Sequence, residues 1–219
     1  MALFEEFPDT VDEEHILILS AQKGDRQAFA VLVERYWDRL YRWLYHLTHH
    51  RHSAEELAQE AMLKAFAHLS QFQFRRDKPG NTLGSAHRNP PTGKPGDSPS
   101  GPSGNFQAWL FRIAYNSFVN QWRSDGRARQ VFPRRLPALE EGPVDQVLSR
   151  EMLQLLARAV GRLPSDFRAA FLLRAEQGLS FNEIAHVLGI KEETARWRVF
   201  KARQKLMKVL APELNREEV

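Results

Sequence analysis

Apolar residues recur at three- and four-residue intervals along most of the chain, and no stretch alternates apolar with polar as a half-buried strand would. The pattern predicts an all-α protein. A first helix is expected from Glu13 to Gln22, stopped at Gly24. A second runs from an Asp25 N-cap to about Thr48, with Phe29, Leu32, Val33, Tyr36, Leu40, Leu44 and Leu47 on one stripe. Ser53, with Glu56 three residues on, reads as a capping box opening a third helix. That helix buries Leu57, Ala61, Met62, Ala65 and Leu69.

The pattern then breaks. Arg75 to Gly104 holds half of the chain's 12 Pro and half of its 12 Gly, with almost nothing to bury, so it is expected to be a flexible insertion. Helical spacing returns at Asn105 and runs to about Arg123, with Phe106, Trp109, Leu110, Ile113 and Ala114 on one face. A second polar, Pro-bearing stretch, 124–143, reads as a linker. Beyond it a helix is expected from Val144 to Arg162, bearing Leu148, Met152, Leu155, Leu156 and Val160. Pro164 ends that helix, and Ser165 caps the next, which reaches Gly178. The expected organisation is an acidic extension (1–12), a helical domain (13–123) interrupted by the insertion (75–104), the linker, and a second small helical domain (144–211).

The last helix pair carries chemistry. Ser180 and Glu183 form a capping box, Ile184, Ala185 and Leu188 make a buried face, and Gly189 supplies the turn, with Ile190 packing beneath it. A longer helix follows from Glu192 to about Val209, with Ala195, Val199, Ala202 and Leu206 inward. Between Lys191 and Lys208 stand seven cations against Glu192 and Glu193, a net excess of five that exceeds the +4 of the whole chain. A basic face alone is often only a solvated surface. In register with a short helix, a glycine turn and an isoleucine, it predicts a helix-turn-helix whose second helix enters the major groove.

Composition narrows the field. With no cysteine, disulfides and thiolate metal sites are excluded and a reducing cytoplasm is the expected setting. The N-terminal 14 residues carry six carboxylates and no Lys or Arg, unlike a secretory signal. No nucleophile–base pair, phosphate-binding glycine loop or metal-ligand set stands out, so neither an enzyme nor a cofactor is expected. His46, His49, His50 and His52 cluster at a helix end, where histidines meet the helix dipole and exposed carbonyls; they are not read as a metal site.

These motifs resemble a family. Leu179-Ser-Phe-Asn-Glu-Ile-Ala-His-Val-Leu-Gly-Ile190 and the following Glu193 to Leu206 resemble region 4 of RNA polymerase sigma factors of the sigma-70 family, best the extracytoplasmic-function (ECF) type. Leu163 to Leu173 resembles the helix pair that precedes it in that class. In the first domain, Gly24 to Phe29 with Tyr36 resembles the opening helix of region 2, and Ala54 to Phe66 its core-binding helix. Phe106 to Asn116 resembles the helix that meets the upstream promoter element. The resemblance implies a factor that binds core RNA polymerase, reads a −35 element as duplex, and melts and captures a −10 element, with promoter DNA and core polymerase as partners and no small-molecule substrate. It also implies an anti-sigma protein, because many relatives are held inactive by one wedged between the domains.

Carried over residue by residue, the resemblance assigns Glu56, Gln59, Glu60 and Lys64 to core polymerase. It sets Asn116, Asn120, Trp122, Arg123 and Arg127 along the −10 strand, where Asn suits adenine edges and Arg guanine edges or phosphates. Trp122 either stacks on an unpaired base or packs as a half-buried aromatic, and Tyr115 and Phe118 share that ambiguity. Glu193, Thr194, Arg196, Trp197, Phe200, Lys201 and Arg203 are the −35 candidates. Trp197 stands where many relatives have a small polar residue. The insertion departs most from the family, where a short loop captures a flipped base. It reads as passive, as an extra DNA contact through Arg75, Arg76, Lys78, Arg88 and Lys94, or as a segment that orders on binding. The rival class is a stand-alone helix-turn-helix regulator, which needs neither the Glu56–Lys64 face nor the Trp109–Arg123 helix.

Overall fold

The computed structural model describes residues 10–74, 104–125 and 150–214. The acidic start before residue 10, the insertion apart from Gly104, the linker beyond residue 125 and, with it, Arg127 lie outside the described residues. So do residues 144–149 of the helix expected to follow the linker. Helices α1 (Thr10–Gln22), α2 (Arg26–Thr48) and α3 (Arg51–His68) come first, and α3 ends in a 3-10 turn, Leu69–Gln71. Then come α4 (Phe106–Asp125), α5 (Arg150–Gly161), α6 (Ser165–Ala175), α7 (Phe181–Leu188) and α8 (Glu192–Leu214). There is no strand among the described residues.

Helix ends follow local chemistry. The Asp25 carboxylate accepts from the N–H groups of Gln27 (2.9 Å) and Ala28 (3.2 Å), satisfying two of the orphan donors at the start of α2. The expected Ser53 cap of α3 is corrected. His49, at φ +55°, turns the chain out of α2, and His50 then becomes the N-cap, its ring Nδ1 accepting from the Ser53 N–H. Because helix starts in this way three residues early, Ser53 already lies inside it. Ser165 is corrected likewise: it is the first residue of α6, Pro164 sits at the cap without a side-chain bond, and the Pro164 carbonyl accepts from Phe167 and Arg168.

In the first unit, α2 packs against α1, α3 and α4. The predicted stripes are largely buried: Leu32, Tyr36, Leu40, Leu44 and Leu47 on α2, Leu57, Ala61, Met62 and Ala65 on α3. Phe72, Phe106 and Trp109 stack among themselves at centroid distances of 5.3–5.6 Å, pinning the start of α4 to the end of α3. The Tyr36 hydroxyl, pushed well above its usual range by burial, donates to the Glu14 carboxylate and ties α2 to α1.

Helix α4 is apolar around more of its circumference than one face requires. Ala108 and Phe111 are buried together with the predicted Phe106, Trp109, Leu110 and Ala114. The second unit accounts for this: α4 packs along α7, and α2 against α6, so one continuous cluster of buried residues runs through both units.

Candidate nucleic-acid interface

The turn between α7 and α8 is built as the sequence predicts. The Ser180 hydroxyl accepts from the Glu183 N–H, and the Glu183 carboxylate accepts from the Ser180 N–H at 2.8 Å. Gly189 adopts φ +64°, in the left-handed region, and the Ile190 N–H donates back to the Ala185 carbonyl at 3.0 Å. Ala195, Val199, Ala202 and Leu206 are buried and lock α8 onto α6 and α7. Burying that stripe leaves the opposite side of α8 facing water.

The −35 candidates occupy that outer side. Glu193, Arg196, Trp197, Phe200 and Arg203 are exposed, and Thr194 and Lys201 half-buried. Arg196 bonds Glu192 one turn earlier (2.8 Å) and lies over the Phe181 ring at 4.8 Å. The Arg196–Glu192 bond is exposed to solvent. Trp197 is 51% exposed, its ring 5.3 Å from that of Phe167. With Glu193 and Thr194 it lines a shallow hollow near the start of α8. Not every cation of this helix faces outward. Arg198 is largely buried and held by Asp166 at 2.9 Å, so it fastens α8 to α6. Lys205 lies over Phe167.

On α4, Asn116, Asn120 and Arg123 recur at four and three residues on one exposed side. Trp122 is 50% exposed and leans on Phe118 at 5.9 Å, so half of its ring faces solvent. Phe118 is buried, and Tyr115 is half-buried against Trp43; both belong to the core.

Glu56, Gln59 and Glu60 are exposed together on α3. Lys64 reaches back to Glu60 (2.6 Å) and across to the buried Ser117 hydroxyl of α4 (3.0 Å). A cleft lined by Glu56, Glu60, Lys64, Ser117 and Asn120 therefore joins the polymerase candidates to the −10 candidates. Two residues on this side escaped the sequence reading. Leu63 is 71% exposed and Phe66 45%, with Phe66 resting on Phe29. Their signal was present: both fall off the Leu57–Ala61–Ala65 stripe, so they are large apolar side chains at positions the periodicity assigns to solvent.

The four clustered histidines have separate surroundings. His46 lies beside Glu176 at the C-cap of α6, His50 caps α3, and His52 meets Glu56 at 3.2 Å. His49 is held neutral chiefly by burial and then by Arg168, its pKa lowered to about 4. No helix among the described residues is long and apolar enough to cross a membrane.

Residues 32–84 match the family description Sigma-70 region 2, and residues 153–206 match Sigma-70, region 4. The chain is 30% identical over 223 residues to the ECF RNA polymerase sigma factor SigE of Mycolicibacterium smegmatis, covering 96% of this chain and 76% of the relative. It is 28% identical over 214 residues to the ECF RNA polymerase sigma-E factor of Escherichia coli, covering 93% and 97%. In fold it is similar to the sigma factor RpoE from Bartonella quintana, solved in complex with the anti-sigma factor NepR, with a TM-score of 0.59 at 24% identity over 84% of this chain and 96% of that one. With both region matches in the expected order and a relative at this identity spanning nearly the whole chain, the protein belongs to the ECF RNA polymerase sigma factors of the sigma-70 family.

Proposed function

We propose that this sigma factor works through three surfaces, the first two adjoining across the α3–α4 cleft. The outer face of α3, with Glu56, Gln59 and Glu60 around the exposed Leu63, docks on core RNA polymerase. The Asn116–Asn120–Arg123 side of α4, with Trp122 beside it, receives the −10 strand, and the outer side of α8 reads the −35 duplex through Thr194, Arg196 and Trp197. Phe200, Lys201 and Arg203 continue that surface along the phosphates. Lys64 does not share the outward task of its neighbours: it braces α3 against α4 through Ser117. All three surfaces act by binding, and strand opening draws on the free energy of those contacts. The reading places the protein in the cytoplasm beside core polymerase. An anti-sigma protein completes the set of partners, as in the Bartonella complex.

The observation that carries this reading is the coexistence, in one chain, of a capped helix-turn-helix with an exposed acidic and apolar face on α3. A stand-alone regulator has no use for the second. The test is retention on immobilised core polymerase followed by transcription from a random promoter library. Retention with promoter-selective transcripts is expected, and Gln59→Ala combined with Glu60→Lys should lose retention while keeping its helical circular dichroism. Normal holoenzyme assembly by that variant would overturn the α3 assignment.

A further inference from the structure

The second helix of the helix-turn-helix, α8, is gripped from outside that motif. Pro164, whose ring fixes its φ, stands at the N-cap of α6, and its carbonyl accepts from the N–H groups of Phe167 (3.0 Å) and Arg168 (2.9 Å). The first turn of α6 is thereby set locally, and two consecutive side chains of that turn reach α8. The Asp166 carboxylate accepts from Arg198 at 2.9 Å. Phe167, half-buried, meets the Trp197 ring at 5.3 Å and carries the Lys205 ammonium over its own face, 5.3 Å from the centroid. Trp197 and Lys205 are both exposed. One side chain of α6 thus braces two outward groups of α8.

A half-exposed tryptophan samples several rotamers, and ordering it when DNA arrives costs that freedom. The Phe167 contact fixes the ring beforehand. What the ring can then read is limited by chemistry. With Glu193 and Thr194 it lines the hollow near the start of α8, the end of such a helix that meets base edges. An indole face offers apolar surface, and the apolar group that a base pair presents in the major groove is the thymine C5-methyl. Glu193, one turn before Trp197, offers an acceptor, and adenine presents its N6 amino group as a donor in the same pair. A G·C pair supplies an amino donor on cytosine but no methyl. The hollow therefore suits an A·T pair.

We propose that Phe167 is a positioning residue for −35 selection: by holding the Trp197 ring over this hollow it makes α8 select one thymine through its methyl group. The inference rests on the −35 reading of α8 given above and extends it to a residue of α6, outside the helix-turn-helix.

The test uses holoenzyme assembled on core polymerase and a duplex pool randomised across the −35 element. Each thymine that is selected is then replaced by uracil, which removes only the methyl. With the unsubstituted protein that replacement should cost roughly threefold to tenfold in affinity at one position, the weight of one buried methyl or one ordered side chain. Trp197→Ala and Phe167→Ala should each abolish the difference between thymine and uracil there. The double variant should be no worse than either single one, and Phe167→Tyr, which keeps the ring, should retain the difference. A thymine preference that survives in Phe167→Ala, or an even loss of affinity for every −35 sequence, would overturn the positioning role. Should Phe167→Ala fail to fold, Phe167→Leu keeps much of the packing volume without an aromatic face and should lose the difference in its place; keeping it would reject the proposal. No effect of uracil at any −35 position in the unsubstituted protein rejects it as well. An unsubstituted holoenzyme with no −35 preference at all would instead defeat the −35 reading itself.

Discussion

Acidification should part the two units before it unfolds either. The cause is visible in the Arg112–His186 contact: a guanidinium only donates, so the imidazole nitrogen facing it must accept and the ring must be neutral. Burial and then Arg112 lower the His186 pKa from 6.5 to about 4. His46 is lowered to about 4 as well, by burial first and then by Arg168 and Arg42, so its 3.9 Å approach to Glu176 is not an ion pair at neutral pH. Once the units separate, both rings regain water and return toward 6.5. A histidine depressed in the closed state contributes its full stability above pH 6.5 and loses it as the pH falls toward 4. At pH 5.5 each ring favours opening by about 1.4 kcal/mol, so the pair shifts the balance by about 3 kcal/mol, roughly a hundredfold, and His49, lowered to about 4 by burial and by Arg168, adds in the same direction. Glu176, which burial raises, works the other way, since its protonation favours closure; it limits the effect to the upper part of that window. Energy transfer between dyes on Ser70→Cys and Gln204→Cys, both exposed positions in a chain without native cysteine, followed from pH 7.5 to 5 alongside far-ultraviolet circular dichroism, measures this directly. Transfer should fall with a midpoint between pH 5 and 6 while helicity holds. His186→Gln keeps an oxygen to accept from Arg112 without titrating, and should remove about a third of the pH dependence. Constant transfer down to pH 5, or an unmoved profile in His186→Gln, would refute the reasoning.

Gly189→Ala should cost about 1 kcal/mol and lower the melting temperature by a few degrees, because a Cβ there meets nothing within 4 Å and only the positive φ is penalised; Gly189→Asn should cost less, and equal melting of the two would contradict that account. Leu63→Asp should weaken core polymerase retention by about 2 kcal/mol if Leu63 anchors the α3 face, with no change in melting, since the side chain is 71% exposed. Trp197→Ala should change which −35 sequences are selected from a random duplex pool, with a melting shift of no more than a few degrees because its described ring contact is with Phe167 alone.

The helices and the helix-turn-helix were legible because each is decided within a few residues: a cap, a glycine turn, a stripe at 3.6-residue spacing. Where local reading failed, a neighbour had intervened. Ser53 has the composition of a cap, but the left-handed turn at His49 places His50 there first. Arg198 counts in sequence as one more cation of a basic face, and only Asp166, 32 residues earlier, shows that it is a fastening. The closed interface was the least legible feature, for a physical reason. Its polar members, Arg39, Gln107, Arg112, Gln177 and His186, are the residue types that surfaces carry, so a sequence reading assigns them to water. The apolar residues gave the better clue. Ala108 and Phe111 lie beside the Phe106–Trp109–Ile113 stripe, and with them α4 presents two apolar faces, one more than α2 and α3 can cover. A helix of that kind requires a second layer, and in this chain the layer available is the helix-turn-helix itself. The composition of α4 thus calls for a second packing layer in cis, while its Asn116–Arg123 side, the proposed −10 surface, stays exposed.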